Sequence, residues 1–351
     1  MSATTRTRES FPALSIEIHG PQIAPALLLS AELLVDTPFE SLAHVRAFRP
    51  EIVAQLRHAV IHSEGRLAAI LSFYADGKRL AVVNRLVRLP DAVITACAAT
   101  MLQKNPTMRS VEFNDLYNIY PGNRTGPMRS LSWSTIDCAE VDLPGSYDDY
   151  LQTFGSATRK NLRYCARRLE RESPSVKFRI LEREEITEEI VEAIVELNHR
   201  RMASKGKTSG MDRSYTAHLG ALSRSHGVAC IAADGAKIVG GTLCTQVGAG
   251  WTLHVIAHDP SYNHLRLGLL CLLNSVREAI ARGIQRFNFL WGASDYKRLF
   301  GARVSPLSAR RYYRHFGCQL LQPQDVKDCA VQTLRRGIAS WRSARARSPG
   351  K

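Results

Sequence analysis

The most regular pattern of apolar and polar positions lies between residues 228 and 290. Val228 to Ala232 reads as a buried strand and Ile238 to Thr245 as its return, with a tight turn at Asp234-Gly235. Asp-Gly tolerates the positive φ values of a type I′ hairpin. A Gly248-Ala249-Gly250 turn leads to a third strand, Trp251 to Ala257. The period then shifts from two to about 3.6: Leu265, Leu269, Leu272, Val276 and Ile280 mark one face of a helix that Gly283 ends. Arg286 to Leu290 is strand again, with Phe287 and Phe289 on one face.

The N-terminal half repeats this order more faintly. Leu67 to Tyr74 and Arg79 to Leu86 read as strands around an Ala75-Asp76-Gly77 turn, Asp91 to Leu102 as a helix N-capped by Asp91, and Ser110 to Leu116 as strand. Tyr74-Ala75-Asp76-Gly77-Lys78 parallels Ala232-Ala233-Asp234-Gly235-Ala236, so a degenerate internal duplication is expected, with a coincidental pair of hairpins as the alternative. Between the halves, Ser146 caps a short helix to Phe154, and a second helix runs from Ser156 to about Glu172. Ile190, Ile194 and Leu197 define a further helix, and Tyr215, Leu219 and Leu222 a shorter one. The expected organisation is residues 1–145, residues 146–330 and a basic tail, 331–351.

Composition changes the picture little. A chain of 351 residues suits about two domains, and 45% hydrophobic residues suffice for ordinary cores. The run Ala24 to Val35 is interrupted by Ser30 and Glu32 and is too short to span a bilayer, so a soluble, cytoplasmic protein is expected. Eight cysteines without a C-x-x-C pair read as reduced, mostly core residues. His58 and His62 stand at i, i+4 without the glutamate of a zinc protease motif, and no metal site is expected. The chain has no Walker A loop, no dinucleotide fingerprint and no nucleophile elbow. Asn123-Arg124-Thr125 fails as a glycosylation sequon, and Tyr117 to Arg124 forms a turn-rich aromatic stretch suited to an acceptor pocket or an ordinary turn.

Charge adds a second feature. The formal net charge is +15. Arg159, Arg163 and Arg167 fall on one helix face opposite Leu162, Cys165 and Leu169, with Lys160, Arg168 and Arg171 beside them. Like charges at i, i+4 cost a few tenths of a kcal/mol each, which an anionic partner would offset. The turn Asn263-His264-Leu265-Arg266-Leu267-Gly268-Leu269 opens the long helix, whose free N–H groups and positive dipole end suit phosphate oxygens.

The segment from Asp259-Pro260-Ser261-Tyr262 through Arg266-Leu267-Gly268-Leu269-Leu270 to Phe287-Asn288-Phe289-Leu290-Trp291-Gly292 and Tyr296-Lys297-Arg298 resembles the GNAT family of N-acyltransferases, in its BioF2-like, cellulose-biosynthesis-associated branch. Ser156 to Arg163 and Leu197-Asn198-His199-Arg200-Arg201 extend the likeness. Fem-type aminoacyltransferases are the nearest cousins. The resemblance implies an α/β fold of two tandem GNAT-like domains with mixed sheets flanked by helices, the second copy holding acyl-CoA. It further implies acyl transfer to an amine of a sugar, amino acid or small metabolite by direct attack, with acyl-CoA (acetyl-CoA the expected form) as co-substrate and no prosthetic group. Arg266, Leu267, Gly268, Leu269, Arg159 and Arg163 would hold the donor. His254 is the preferred base, His258 and His199 the next candidates, and Tyr296 and Lys297 the donors to thiolate or oxyanion. Two departures stand out: Arg266-Leu267 replaces a Ser-Pro turn, and Asn288 replaces an aspartate. They keep two rivals open, a Fem-type transferase using aminoacyl-tRNA and an inactive scaffold accessory to envelope or polysaccharide synthesis.

Overall fold

The computed structural model describes residues 13–117, 128–322, 324, 327 and 329–331. The basic tail beyond residue 331 and most of the 117–124 stretch lie outside them. The first half runs β1 (Leu14–His19), α1 (Pro25–Glu32), α2 (Leu42–Phe48), β2 (Arg57–Ser63), β3 (Arg66–Asp76), β4 (Arg79–Val82), α3 (Asp91–Gln103) and β5 (Ser110–Leu116), then β6 (Arg129–Asp142). Two helices follow, α4 (Tyr147–Gln152) and α5 (Ser156–Glu172). The second half runs β7 (Val176–Glu182), α6 (Glu188–Ala203), α7 (Arg213–His226), β8 (Gly227–Asp234), β9 (Lys237–Val247), β10 (Gly250–His258), α8 (Leu267–Ala281) and β11 (Arg286–Trp291). It closes with α9 (Asp295–Leu299), β12 (Arg303–Tyr313) and α10 (Phe316–Leu320).

Up to its fifth strand, each half has the same element order, β-α-α-β-β-β-α-β, and the same pairing: three antiparallel contacts, then one parallel contact, β4 with β5 and β10 with β11. The faint repeat of the sequence is therefore a repeat of topology. The sixth strands are exchanged. β6 pairs with β11 of the second half and β12 with β5 of the first, and the two pair with each other. All twelve strands form one sheet, in the order β1-β2-β3-β4-β5-β12-β6-β11-β10-β9-β8-β7.

Local chemistry explains most of these elements, with some corrections. Both hairpins carry positive φ at Gly77 and Gly235, the first loop residue, and not at the preceding aspartates. That is the arrangement of a type II′ turn and not I′. Ser146 does cap α4, accepting from the Asp149 amide at 3.0 Å. Asp91 is the first residue of α3 and not its N-cap, which is Pro90. β4 ends at Val82, short of the expected Leu86, which has a φ of 60°. Seven of the eight cysteines are buried.

In the second half, α6 and α7 cover one sheet face through Ile194, Leu219, Val255 and Ala257. α8 covers the other through Leu272 and Val276 against Trp251 and Leu253. Among the described residues no helix is long and apolar enough to cross a membrane.

Candidate active site

The site begins with a mismatch in the sheet. β10 and β11 run parallel for only three residue pairs, from Gly250–Arg286 to Thr252–Asn288. In the same stretch the register of β10 on β9 slips between Leu253 and Val255, so His254 is the extra residue of a β-bulge. A bulge changes the phase of side-chain alternation. Leu253 therefore packs toward α8 and Val255 toward α6. Beyond the three pairs, residues 253–256 of β10 and 289–291 of β11 wall a cavity of about 510 Å³. This volume suits a small-molecule site.

Lys297 fixes the far wall. Leu290 and Gly292 have φ of 56° and 76°, so the strand end leaves extended geometry there. The Lys297 ammonium donates to the carbonyls of Leu290 (3.2 Å), Trp291 (2.5 Å) and Gly292 (3.1 Å). Three donors meet three acceptors on a side chain that is buried, and burial lowers its pKa to about 8. Lys297 lines the cavity, but its hydrogens are committed to the backbone.

His254, Tyr296 and Lys297 are brought together around this cavity, and Asn198 and Arg201 join them from α6. Burial pulls the His254 imidazole down to about 4, so it is neutral at physiological pH. Its Nε2 lies 2.9 Å from Thr245 Oγ1. Burial raises the Tyr296 phenol, with the nearby Arg201 cation acting the other way. The opposite wall comes from the first half. Phe39, His44, Phe48 and Arg85 all face the cavity. His44 stacks on Phe48 with ring centroids 4.5 Å apart, and burial, aided by the neighbouring His254, depresses its pKa to about 3. Arg85 sits 4.9 Å from the Trp291 ring and pairs with Asp115. No carboxylate side chain lines the cavity among the described residues.

Other sequence candidates lie elsewhere. His199 is not in this cavity: its Nε2 lies 2.8 Å from the Met211 carbonyl, and it lines a separate cleft between α6 and α7. Asn288 is buried, and its Oδ1 accepts from the Leu290 amide at 2.7 Å, bridging the slip between β11 and β6. His258 lies on the α8 side of the sheet, with Nε2 2.8 Å from Asn263 Oδ1. A Cβ on Gly268 would sit 2.6 Å from His258 Nδ1, so this glycine makes room for the ring. Leu267 points into the core. Arg159 binds the Phe154 carbonyl and so closes the end of the segment before α5. Arg163 is exposed. His58, considered for metal binding, is buried with Nδ1 2.9 Å from Ser72 Oγ.

The start of α8 differs from its counterpart in the first half. α8 is preceded by Arg266 in the left-handed region, with φ of 53°, and has no acidic residue in its first turn and no side-chain cap. α5 packs against this turn, where Arg168 donates to the His264 carbonyl at 3.3 Å. In α3 the first residue is Asp91, whose carboxylate takes the buried Arg310 as partner. A carboxylate of the chain itself thus stands at the helix start where an anion would bind. Of the two repeats, only the second leaves that position free of an acidic side chain.

Arg201 stands in the family-like segment Leu197 to Arg201 but carried no expected role, and the first-half wall was not anticipated. The signal for Arg201 is spacing: it continues the apolar positions Ile190, Ile194 and Leu197 by four more residues. Phe39, His44 and Phe48 had none, because only folding places α2 beside α7.

Residues 156–298 match the family model described as Acetyltransferase (GNAT) domain. No curated protein matches the chain. Among solved structures, FemX aligns at 9% identity over 88% of this chain and 99% of its own, with a TM-score of 0.61. A conserved protein of unknown function from Bacteroides thetaiotaomicron VPI-5482 aligns at 12% identity over 82% of this chain and 96% of its own, with a TM-score of 0.55. At such identities the likeness is one of fold. Residues 156–298 thus match a GNAT acetyltransferase domain, and they lie in the second of two repeats of one topology built into a single sheet.

Proposed function

We propose that the protein transfers an acyl group from acyl-CoA to an amine by direct attack. The observation that carries this reading is the bulged, splayed β10–β11 pair, with His254 and Tyr296 at its cavity and, on the other sheet face, an α8 start without a side-chain cap or an acidic residue. The donor phosphates bind at the first turn of α8 beside Arg266, and the thioester enters the splay. The amine approaches from the α6 side. As its nitrogen forms the C–N bond and the C–S bond breaks, a proton leaves the nitrogen and one is needed by the thiolate. With Nε2–H donating to Thr245, the Nδ1 lone pair of the neutral His254 accepts the first, directly or through water; Tyr296 supplies the second. An imidazole of low basicity passes that proton on instead of storing it. Lys297 acts by holding the β11 wall, and Asn288 by bridging the strand slip.

A melting-temperature screen against acyl-CoAs, with mass detection of acylated amines, tests the reading. A ligand at about 100 times its Kd adds about 2.7 kcal/mol to stability. The absence of both a shift and a product would reject it.

A second reading has one observation in its favour. On α5, Lys160, Arg163 and Arg167 are exposed and make no ion pair among the described residues, whereas Arg168 and Arg171 pair with Glu172. A row of free cations suits an aminoacyl-tRNA donor, as in a Fem-type reaction. Steeply salt-dependent tRNA binding without acyl-CoA binding would favour it.

A further inference from the structure

Arg201 differs from four buried or half-buried arginines that hold carboxylates. Arg85 pairs with Asp115, Arg88 with Glu140, Arg310 with Asp91 and Arg311 with Glu112. Arg201, half-buried at the cavity, makes no ion pair or hydrogen bond to any described residue, and its Nε is a buried donor without a partner. Its neighbours deepen the imbalance. Lys205 and His258 are the titratable groups that feel its charge besides Tyr296, and the cavity has no carboxylate. A cation held partly away from water without a counter-charge is costly, and an unpartnered buried donor on its guanidinium at the wall of a cavity marks a place for an anionic ligand.

We propose that Arg201 is a specificity residue that binds a carboxylate on the acceptor, so that the substrate is an amino acid-like molecule with an apolar body. The planar guanidinium offers a forked set of donors matched to a carboxylate. Its position on α6 puts it on the sheet face opposite the body of α8 and beside Tyr296 at the reacting end. Phe39, Phe48, Tyr215 and Trp291 supply the apolar walls around the rest of the molecule. The inference rests on the acyltransferase reading for the identity of the acceptor, but not for the presence of the carboxylate.

The test uses the full chain with CoA present and three matched probe pairs: L-phenylalanine, L-leucine and L-methionine, each against its carboxamide. Calorimetry should show at least one acid binding tenfold or more tightly than its amide. Arg201→Gln should reduce that preference to within about twofold, and Arg201→Lys should restore part of it. Removing an unpaired cation should also leave the melting temperature of the ligand-free Arg201→Met protein unchanged or raised. A fall of several degrees would reveal an internal partner and overturn the proposal. So would equal affinity for acids and amides, no binding of any acid, or a preference that survives Arg201→Gln. If Arg201→Gln instead loses succinyl-CoA binding relative to butyryl-CoA, the carboxylate belongs to the donor and the acceptor assignment fails. Acids that bind through Arg201 while no acyl-CoA yields product would leave this inference standing and remove the acyltransferase reading.

Discussion

In the proposed mechanism His254 and Tyr296 divide the proton traffic, and each assignment has its own signature. Tyr296→Phe should lower acyl transfer at least tenfold while acyl-CoA affinity stays unchanged; unaltered turnover would remove the phenol from the mechanism. His254→Ala should reduce turnover by about 10²-fold or more. Because burial holds His254 near 4, activity limited by its protonation should stay level from pH 8 to about 5 and fall only as pH approaches 4. A half-maximal rate near pH 6.5 would point to an unperturbed histidine elsewhere. Stability has a related pH dependence. His44 and His254 have folded pKa values of about 3 and 4, below the ordinary histidine value of 6.5, so between about 6.5 and 4 the unfolded chain takes up their protons and the folded one does not. Their contribution is present above 6.5 and is lost as pH falls. Glu40, raised to about 7 by burial, acts in the opposite sense between 4.5 and 7, but it is one group against two. The melting temperature should therefore drop on acidification from pH 6.5 to 4.5, and less so in His44→Phe.

At the scale of elements, the end of β11 and the start of α8 depend on single contacts. Lys297→Met leaves three carbonyls without their donor, and a cost of about 2–4 kcal/mol is expected from unsatisfied buried acceptors, read by urea denaturation. Gly268→Ala places a Cβ 2.6 Å from the His258 ring, and overpacking of this kind costs about 1–3 kcal/mol. Adding His258→Ala should recover most of that loss; no recovery would show that the glycine serves something other than the ring. The sequence made the regular parts of these elements readable. The strand–hairpin–strand–helix–strand order of residues 228–290 is set by local periodicity and turn residues, and it is the order of β8 to β11. The bulge at His254 was not readable, because a one-residue slip in pairing leaves no trace in an apolar run. β12 escaped notice for a different reason. Its Arg310 and Arg311 look like surface residues and are buried only because Asp91 and Glu112, some 200 positions earlier, meet them.

The whole molecule is less divisible than its repeat suggests. The expected boundary at 145/146 separates β6 from its partner β11 and leaves β12 on the opposite side from β5. Separate expression of 1–145 and 146–351 should give unfolded or aggregated chains, and co-expression a folded complex, as judged by circular dichroism and gel filtration. Independent folding of either piece would show that the exchange contributes little. The first repeat also does more than support the second: its Phe39, His44 and Phe48 form a wall of the cavity that no reading of the second half alone supplies. Central to the proposed function is acyl transfer from a CoA thioester at the splayed cavity. Mass spectrometry of the protein incubated with acetyl-CoA and a panel of amines addresses it most directly. The account predicts an acetylated amine and stoichiometric free CoA with the wild-type chain, both reduced about 10²-fold in His254→Ala. Product formation from aminoacyl-tRNA with none from any acyl-CoA, or equal turnover in the two proteins, would contradict it.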